Sequence, residues 1–149
     1  MTDSSRIEDI KIGAYGAVYN AGSFIMDGGV ITNTTLNAAS NFQQGMAVYN
    51  IGTFTMKDGS SITGNSGSNS TVYNTGSYYM EGGEISDNEN SNGTASLGTG
   101  TFYMKSGTFT MTGGSISGNK TYLLAAVSVL RVALSQSMER MLRLLEIRL

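Results

Sequence analysis

GTFTMKDGSSITGN (residues 52–65) is one copy of a phrase that recurs along the chain. Each copy starts at a glycine, alternates aromatic and other side chains up to a methionine, turns at a glycine-containing corner and continues to a single isoleucine. The other copies are GSFIMDGGVIT from Gly22, GSYYMEGGEISDN from Gly76 and GTFTMTGGSISGN from Gly107. A fixed phrase at such a period is typical of a solenoid, in which every repeat forms one coil.

A second phrase, Val-Tyr-Asn, runs ahead of the first three copies, at residues 18–20, 48–50 and 72–74. Residues 102–104, Phe-Tyr-Met, align with it as a degenerate fourth copy. An alternative alignment treats residues 101–104 as a second version of the Thr-Phe-Thr-Met run. Together the two phrases predict about four stacked coils over residues 13–119.

Alternation within the repeated runs predicts which side chains point into the coil. In Thr-Phe-Thr-Met, a period of two puts Phe54 and Met56 on one face and Thr53 and Thr55 on the other. The other inward residues predicted in this way are Phe24, Met26, Tyr78, Met80, Phe109, Met111, Ile31, Ile62, Ile85, Ile116, Val18, Val48 and Val72. Because one coil cannot bury such a face alone, we expect an all-β, three-sided parallel β-helix whose coils share one apolar column.

Polar residues at the corners complete this prediction. Gly-Gly, Gly-Asn and Asp-Asn pairs between the runs supply the backbone conformations that sharp turns require. The stacked copies of Asn20, Asn50 and Asn74 predict a ladder of side-chain amide hydrogen bonds along the axis. Extra length at residues 34–44 and 88–99 is rich in Asn, Ser, Thr or Gly and indicates solvated loops.

Composition excludes several classes of function. The chain of 149 residues has no histidine and no cysteine, which removes the usual zinc, iron and copper ligands and thiol or imidazole catalysis. A net charge of -2 with only 13% charged residues argues against nucleic-acid binding, which needs a basic face. We therefore expect no cofactor, no metal site and no nucleic-acid partner.

The consensus AVYNxGTFTMxxGxxISGN resembles the repeats of bacterial adhesin-like surface proteins, also described as polymorphic-outer-membrane-protein-like. The resemblance covers residues 13–119 and implies a right-handed parallel β-helix. It also implies a non-enzymatic structural or adhesive role at the cell surface or in secreted form, with glycan or host-protein partners. The opening residues, MTDSSRIEDIKIG, are polar and lack the apolar core of a signal peptide. No apolar stretch is both long enough and free enough of charged residues to span a membrane.

Both ends differ from the array. Residues 1–12 lack the repeat and predict a short lead-in strand, since Ile10 and Ile12 alternate with charged residues. Residues 120–149 are rich in Leu and Arg, and their apolar residues recur at spacings of three and four, which predicts an amphipathic α-helix. This helix would cap the last coil or mediate self-association. Another hypothesis is that the tail is a frameshifted repeat, since its permitted codons allow the repeat phrase in a shifted frame.

The strongest candidate binding residues are four tyrosines predicted to face outward. Tyr19, Tyr49, Tyr73 and Tyr103 occupy the same place in successive copies of the first run. Aligned tyrosine rings are suited to bind sugars or a partner protein. The alternative is that they only stack on one another and stabilise the sheet.

A carbohydrate-active β-helix enzyme, such as a polysaccharide lyase or hydrolase, is the alternative function. It would use the acidic residues that follow the second run, at Asp27, Asp58 and Glu81. Lys57 and Thr112 stand at the equivalent place in the other coils, which favours a plain polar corner. The sequence therefore predicts no catalytic residues.

Overall fold

The computed structural model describes residues 1–13, 15–36, 45–91 and 100–121. These residues form only β-strands and connections, and every strand pairing among them is parallel. The strands are β1 (Arg6–Glu8), β2 (Lys11–Ile12), β3 (Val18–Asn20), β4 (Ser23–Met26), β5 (Gly29–Thr32), β6 (Thr35–Leu36), β7 (Gly45–Asn50), β8 (Thr53–Met56), β9 (Ser60–Thr63), β10 (Ser66–Gly67), β11 (Ser70–Asn74), β12 (Ser77–Met80), β13 (Glu84–Ser86), β14 (Glu89–Asn90), β15 (Phe102–Met104), β16 (Thr108–Met111), β17 (Ser115–Ser117) and β18 (Lys120–Thr121). The predicted parallel β-solenoid is confirmed for this part of the chain.

The strands stack into four sheets, so that a full coil contributes one strand to each. The first sheet has the order β15-β11-β7-β3, and the second has β16-β12-β8-β4. The third sheet has the order β1-β5-β9-β13-β17, and the fourth has β18-β14-β10-β6-β2. The coil thus has four strands where the sequence predicts three, because a two-residue strand follows each isoleucine run.

The pairing register settles the alignment of the degenerate fourth copy. Phe102 pairs with Val72 and Tyr103 with Tyr73, which places β15 in the first sheet. Residues 101–104 are therefore the fourth Val-Tyr-Asn run, and the alternative alignment is wrong.

Residues 1–12 add half a coil below the first complete one. In β1, Ile7 pairs with Ile31, and in β2, Ile12 pairs with Leu36. The amino group of Met1 donates to the carbonyl oxygen of Ile25 at 2.9 Å, at the outer edge of the second sheet. The predicted lead-in segment thus contributes two strands to the third and fourth sheets.

One apolar column runs along the axis, as predicted. Phe54, Met56, Tyr78 and Met80 are fully buried, each at 0% exposure. The rings at this position stack in sequence, with centroid distances of 5.1 Å from Phe24 to Phe54, 4.7 Å from Phe54 to Tyr78 and 5.7 Å from Tyr78 to Phe109. Burying a large apolar side chain stabilises by about 1.5–3 kcal/mol, so this column is the main source of stability.

The predicted asparagine ladder is present beside this column. Asn20 Nδ2 donates to Asn50 Oδ1 at 2.7 Å, and Asn50 Nδ2 donates to Asn74 Oδ1 at 2.6 Å. Met104 takes the next position, where its Sδ lies 3.4 Å from Asn74 Nδ2. The ladder therefore ties the first three full coils together from inside.

A second ladder, which the sequence analysis did not predict, runs along the corner between the third and fourth sheets. Thr34 Oγ1 donates to Asn65 Oδ1 at 2.8 Å, Asn65 Nδ2 to Asn88 Oδ1 at 2.8 Å, and Asn88 Nδ2 to Asn119 Oδ1 at 2.9 Å. Each Asn Nδ2 of this ladder also donates to the carbonyl of the isoleucine in the preceding coil. The two ladders therefore support the column from two sides of the coil.

Left-handed backbone makes this second corner. The residue just before each ladder position has a positive φ, at 50° for Asn33, 64° for Gly64, 52° for Asp87 and 65° for Gly118. Glycine, asparagine and aspartate are the residues that tolerate this region. The left-handed conformation thus belongs to the first residue of each Gly-Asn or Asp-Asn pair, and it turns the following asparagine inward.

Several predictions fall on residues outside the described ranges. The amphipathic helix was predicted over residues 120–149, and this is wrong for Lys120 and Thr121, which form β18 because they pair with β14. The rest of that segment, residues 122–149, lies outside the described ranges, as does the segment of the frameshift hypothesis. Residues 37–44 and 92–99, most of the two predicted loops, also lie outside. The prediction of solvated loops is wrong for their described starts, where Thr34 and Asn88 are buried and lead into β6 and β14. Over the described ranges, no helix has the length and apolar character needed to cross a membrane.

Candidate binding surface

The four predicted tyrosines form one column on the outer face of the first sheet. Alternation in the first run sends valine or phenylalanine to the core and the next residue outward. The pairing register then aligns Tyr19 with Tyr49, Tyr49 with Tyr73 and Tyr73 with Tyr103. We call these four residues the tyrosine column.

Rings in the column stack on each other from coil to coil. Tyr19 and Tyr49 have centroids 5.6 Å apart with planes at 13°, and Tyr49 and Tyr73 lie 4.8 Å apart at 7°. Tyr73 and Tyr103 lie 5.3 Å apart and tilt by 34°. The structure thus brings together all four predicted residues as a nearly parallel aromatic stack over the first three coils.

Exposure varies strongly along the column. Tyr19 is 51% exposed, whereas Tyr73 is only 3% exposed. Tyr49 and Tyr103 are half-buried. The most exposed ring of the column is therefore Tyr19, at its N-terminal end.

Tyr15 joins this end and was missed by the sequence analysis. Its ring, 54% exposed, lies edge-on to both Tyr19 and Tyr49. The centroid distance is 5.5 Å in both cases, with interplanar angles of 73° and 84°. Tyr15 lies outside the repeated phrases. The only sequence signal that could have identified it is its position four residues before Tyr19, in a glycine-rich segment.

The two central phenols of the column, those of Tyr49 and Tyr73, have raised pKa values. Burial raises the pKa of Tyr49, and the neighbouring phenols of Tyr19 and Tyr15 raise it further. Burial likewise raises the pKa of Tyr73 to about 12, with smaller contributions from Tyr49 and Tyr103. The Tyr49 phenol, which is half-buried, is therefore a neutral group at neutral pH that can both donate and accept a hydrogen bond.

The acidic residues of the alternative function lie at the corner between the second and third sheets. Asp27 Oδ2 accepts from Lys57 Nζ at 3.2 Å, so this carboxylate is paired with the residue that replaces it one coil later. Asp58 borders a shallow depression of about 370 Å³, whose other lining residues include Ser61 and Glu84. Ser61 Oγ donates to Glu84 Oε1 at 3.2 Å. Within the described ranges, no three acidic side chains lie together in a way that would hold a metal ion.

No protein-family model, curated protein or solved structure matches this chain. The repeat register and the tyrosine geometry are therefore the observations on which a function can be based.

Proposed function

We propose that this chain is a non-enzymatic structural or adhesive segment of a bacterial cell-surface protein, whose solenoid presents the tyrosine column to glycan or protein partners. The observation that carries the proposal is the aligned stack of tyrosines on the outer face of the first sheet. The resemblance of the repeats to adhesin-like surface proteins supports the bacterial surface setting. It also implies that the parallel solenoid is a right-handed β-helix.

The interior is suited to hold such a face rigid. Asn50 and Asn65 are fully buried, and each bonds to the coil on either side through its side-chain amide. Buried polar groups that are fully satisfied favour one arrangement over alternatives. Because parallel strands repeat about every 4.8 Å, the outer rings are held at a regular spacing.

At the N-terminal end of the column, exposure favours binding over stacking alone. The inner rings at Phe54 and Tyr78 already supply coil-to-coil aromatic stacking, and both are fully buried. Tyr15 and Tyr19, by contrast, leave about half of their surface in water. Exposed aromatic clusters are enriched at interaction sites, because removing their apolar surface from water on a partner contributes favourable binding free energy.

Binding to arrays of glycans and of surface proteins tests the proposal. The double variant Tyr19→Ala with Tyr49→Ala should lose binding, since it removes the accessible end of the column. Tyr79→Ala is a matched control, because Tyr79 is 40% exposed on the outer face of the second sheet. Binding that persists in the double variant would reject the column as the site, and absence of any ligand for the wild type would reject the adhesive role.

The proposal also includes self-association through the solenoid ends or the C-terminal segment. Among the described strands, β3 and β4 end the first and second sheets on one side, where Met1 and Thr2 cover the end of β4, and β15 and β16 end them on the other. Unpaired strand edges are templates for pairing with another chain. Sedimentation over a range of concentrations tests this part: oligomers that grow with concentration support it, and a monomer throughout opposes it.

A further inference from the structure

Tyr15 has a strained backbone for its residue type. Its φ is 69°, in the left-handed region, which is sparsely populated for a bulky side chain. The residues in the same region at the corner described above are glycine, asparagine and aspartate. Strain of this kind persists where the surrounding structure enforces it, and it concentrates at functional sites.

The strained conformation brings the Tyr15 ring against the end of the tyrosine column. Its ring stands nearly perpendicular to both Tyr19 and Tyr49, with 5.5 Å between centroids. Tyr19 is the end ring of the stack, because β3 is the terminal strand of the first sheet. The three rings therefore form an exposed corner, with Tyr15 as one wall and the Tyr19–Tyr49 stack as the other.

The three side chains that form this corner are tyrosines, so none of them brings a carboxylate or ammonium group to it. The corner instead offers flat apolar ring faces together with neutral hydroxyl groups that donate and accept hydrogen bonds.

We propose that Tyr15, Tyr19 and Tyr49 form a binding site for a neutral pyranose ring of a glycan. A pyranose has an apolar face of C–H groups that packs on an aromatic ring, and equatorial hydroxyl groups that hydrogen-bond around its rim. Tyr19 and Tyr15 supply the two walls, and the phenol hydroxyls contact the sugar hydroxyls. This inference rests on the proposed adhesive function and names the ligand class and the part of the column that binds it.

The test measures binding of neutral oligosaccharides by calorimetry and by quenching of tyrosine fluorescence. The probes are glucan, mannan, galactan and chito-oligosaccharides, with alginate as an anionic glycan and tetramethylammonium as a cation. The wild-type chain should bind at least one neutral probe and should bind neither charged probe.

Variants of Tyr15 separate the site from the fold. Tyr15→Gly removes the ring and suits the left-handed backbone, so the protein should fold while affinity falls about tenfold or more. Tyr15→Phe keeps the wall and loses one hydroxyl, and it should show an intermediate loss. Tyr79→Ala should bind as the wild type does.

The outcomes distinguish this inference from the proposed function. Neutral glycan binding that survives Tyr15→Gly but is lost in Tyr103→Ala would overturn the inference and leave the adhesive proposal standing. The same holds if the chain binds only protein partners, alginate or tetramethylammonium. If it binds none of the probes and no surface protein, both proposals fail.

Discussion

Asn50 Nδ2 lies 2.6 Å from Oδ1 of Asn74, one coil further along the axis. Asn50 also accepts from Asn20 Nδ2 at 2.7 Å and donates to the carbonyl of Ser77 at 3.0 Å. Because Asn50 is fully buried, its amide has no water to replace these partners. Asn50 is thus a structural link between three coils.

Asn50→Ala should lower the free energy of unfolding by about 3 kcal/mol, since it leaves Asn20 and Asn74 without their buried partner. Asn20→Ala should cost less, because Asn20 is the end of the ladder and bonds to only one neighbouring Asn. Urea unfolding of both variants checks the difference. Equal losses for the two would show that the ladder does not act as a connected unit.

Gly76→Ala should destabilise by about 3 kcal/mol, because an added Cβ would lie 2.0 Å from the carbonyl oxygen of Gly52 in the coil below. Gly22 occupies the same place in the first full coil, where an added Cβ meets nothing within 4 Å. Gly22→Ala is therefore a matched control, expected to change stability by less than about 0.5 kcal/mol. Thermal melts should give a clearly lower melting temperature for Gly76→Ala than for Gly22→Ala. Similar melting temperatures would contradict close contact between the coils at this corner.

Stability should fall in alkaline solution because buried tyrosines resist ionisation. The pKa of Tyr73 is raised from 10.0 to about 12, and full burial raises the pKa of Tyr78 as well. A phenol with a raised pKa contributes stability that is fully present below its ordinary pKa and is lost as pH rises through the folded value. Urea unfolding should thus be level from about pH 7 to 9 and decline above about pH 10.

Tyr78→Phe should weaken this alkaline decline. Phenylalanine occupies the same position at Phe54 and Phe109, so the substitution keeps the ring stack and removes one buried phenol. Tyr79→Phe removes a phenol from an exposed position and should leave the decline in place. An unchanged pH profile in Tyr78→Phe would show that the pKa of this phenol does not differ between the folded and unfolded states.

Replacing Gly64 with asparagine should preserve stability, whereas replacing it with valine should lower the free energy of unfolding. Its φ is 64°, and Asn33 holds the equivalent place one coil earlier at 50°. An added Cβ would come no closer than 3.4 Å to Thr32 Oγ1, so the cost of substitution is backbone strain and not crowding. We expect Gly64→Asn to be nearly neutral and Gly64→Val to cost about 2 kcal/mol. Chemical unfolding measures both, and equal costs would argue against strain as the cause.

The axial column was predictable because its signal is local and repeated. Alternation within each run placed Phe54, Met56, Tyr78 and Met80 inward, and all four are buried. The alignment of Asn20, Asn50 and Asn74 predicted the first ladder for the same reason. Residues that recur at one position in three or four coils repeat this information each time.

Features without a shared residue type were not predictable in this way. The fourth-sheet strands read Lys-Ile, Thr-Leu, Ser-Gly, Glu-Asn and Lys-Thr, which have no pattern in common. The second ladder did have a signal, the Asn of each Gly-Asn or Asp-Asn pair. That Asn was expected to adopt the left-handed conformation of the turn, whereas the preceding residue adopts it.

The candidate site was only partly predictable. The outward column followed from alternation, but the exposure of each ring depends on what packs beside it in three dimensions. Tyr73, at 3% exposure, and Tyr19, at 51%, have the same place in the repeat. Tyr15 belongs to no repeat at all, and its contact with the column arises from one unusual backbone angle.

The link from the fourth sheet back to the first is where the coils differ most in length. It spans residues 37–44 in one coil, residues 68 and 69 in the next and residues 91–101 in the third, while the register of the paired strands is preserved. A gene of this design can duplicate a coil, or gain and lose many codons at that link, without disturbing the paired strands. New recognition segments would accordingly evolve, or be engineered, at this corner at little cost to folding.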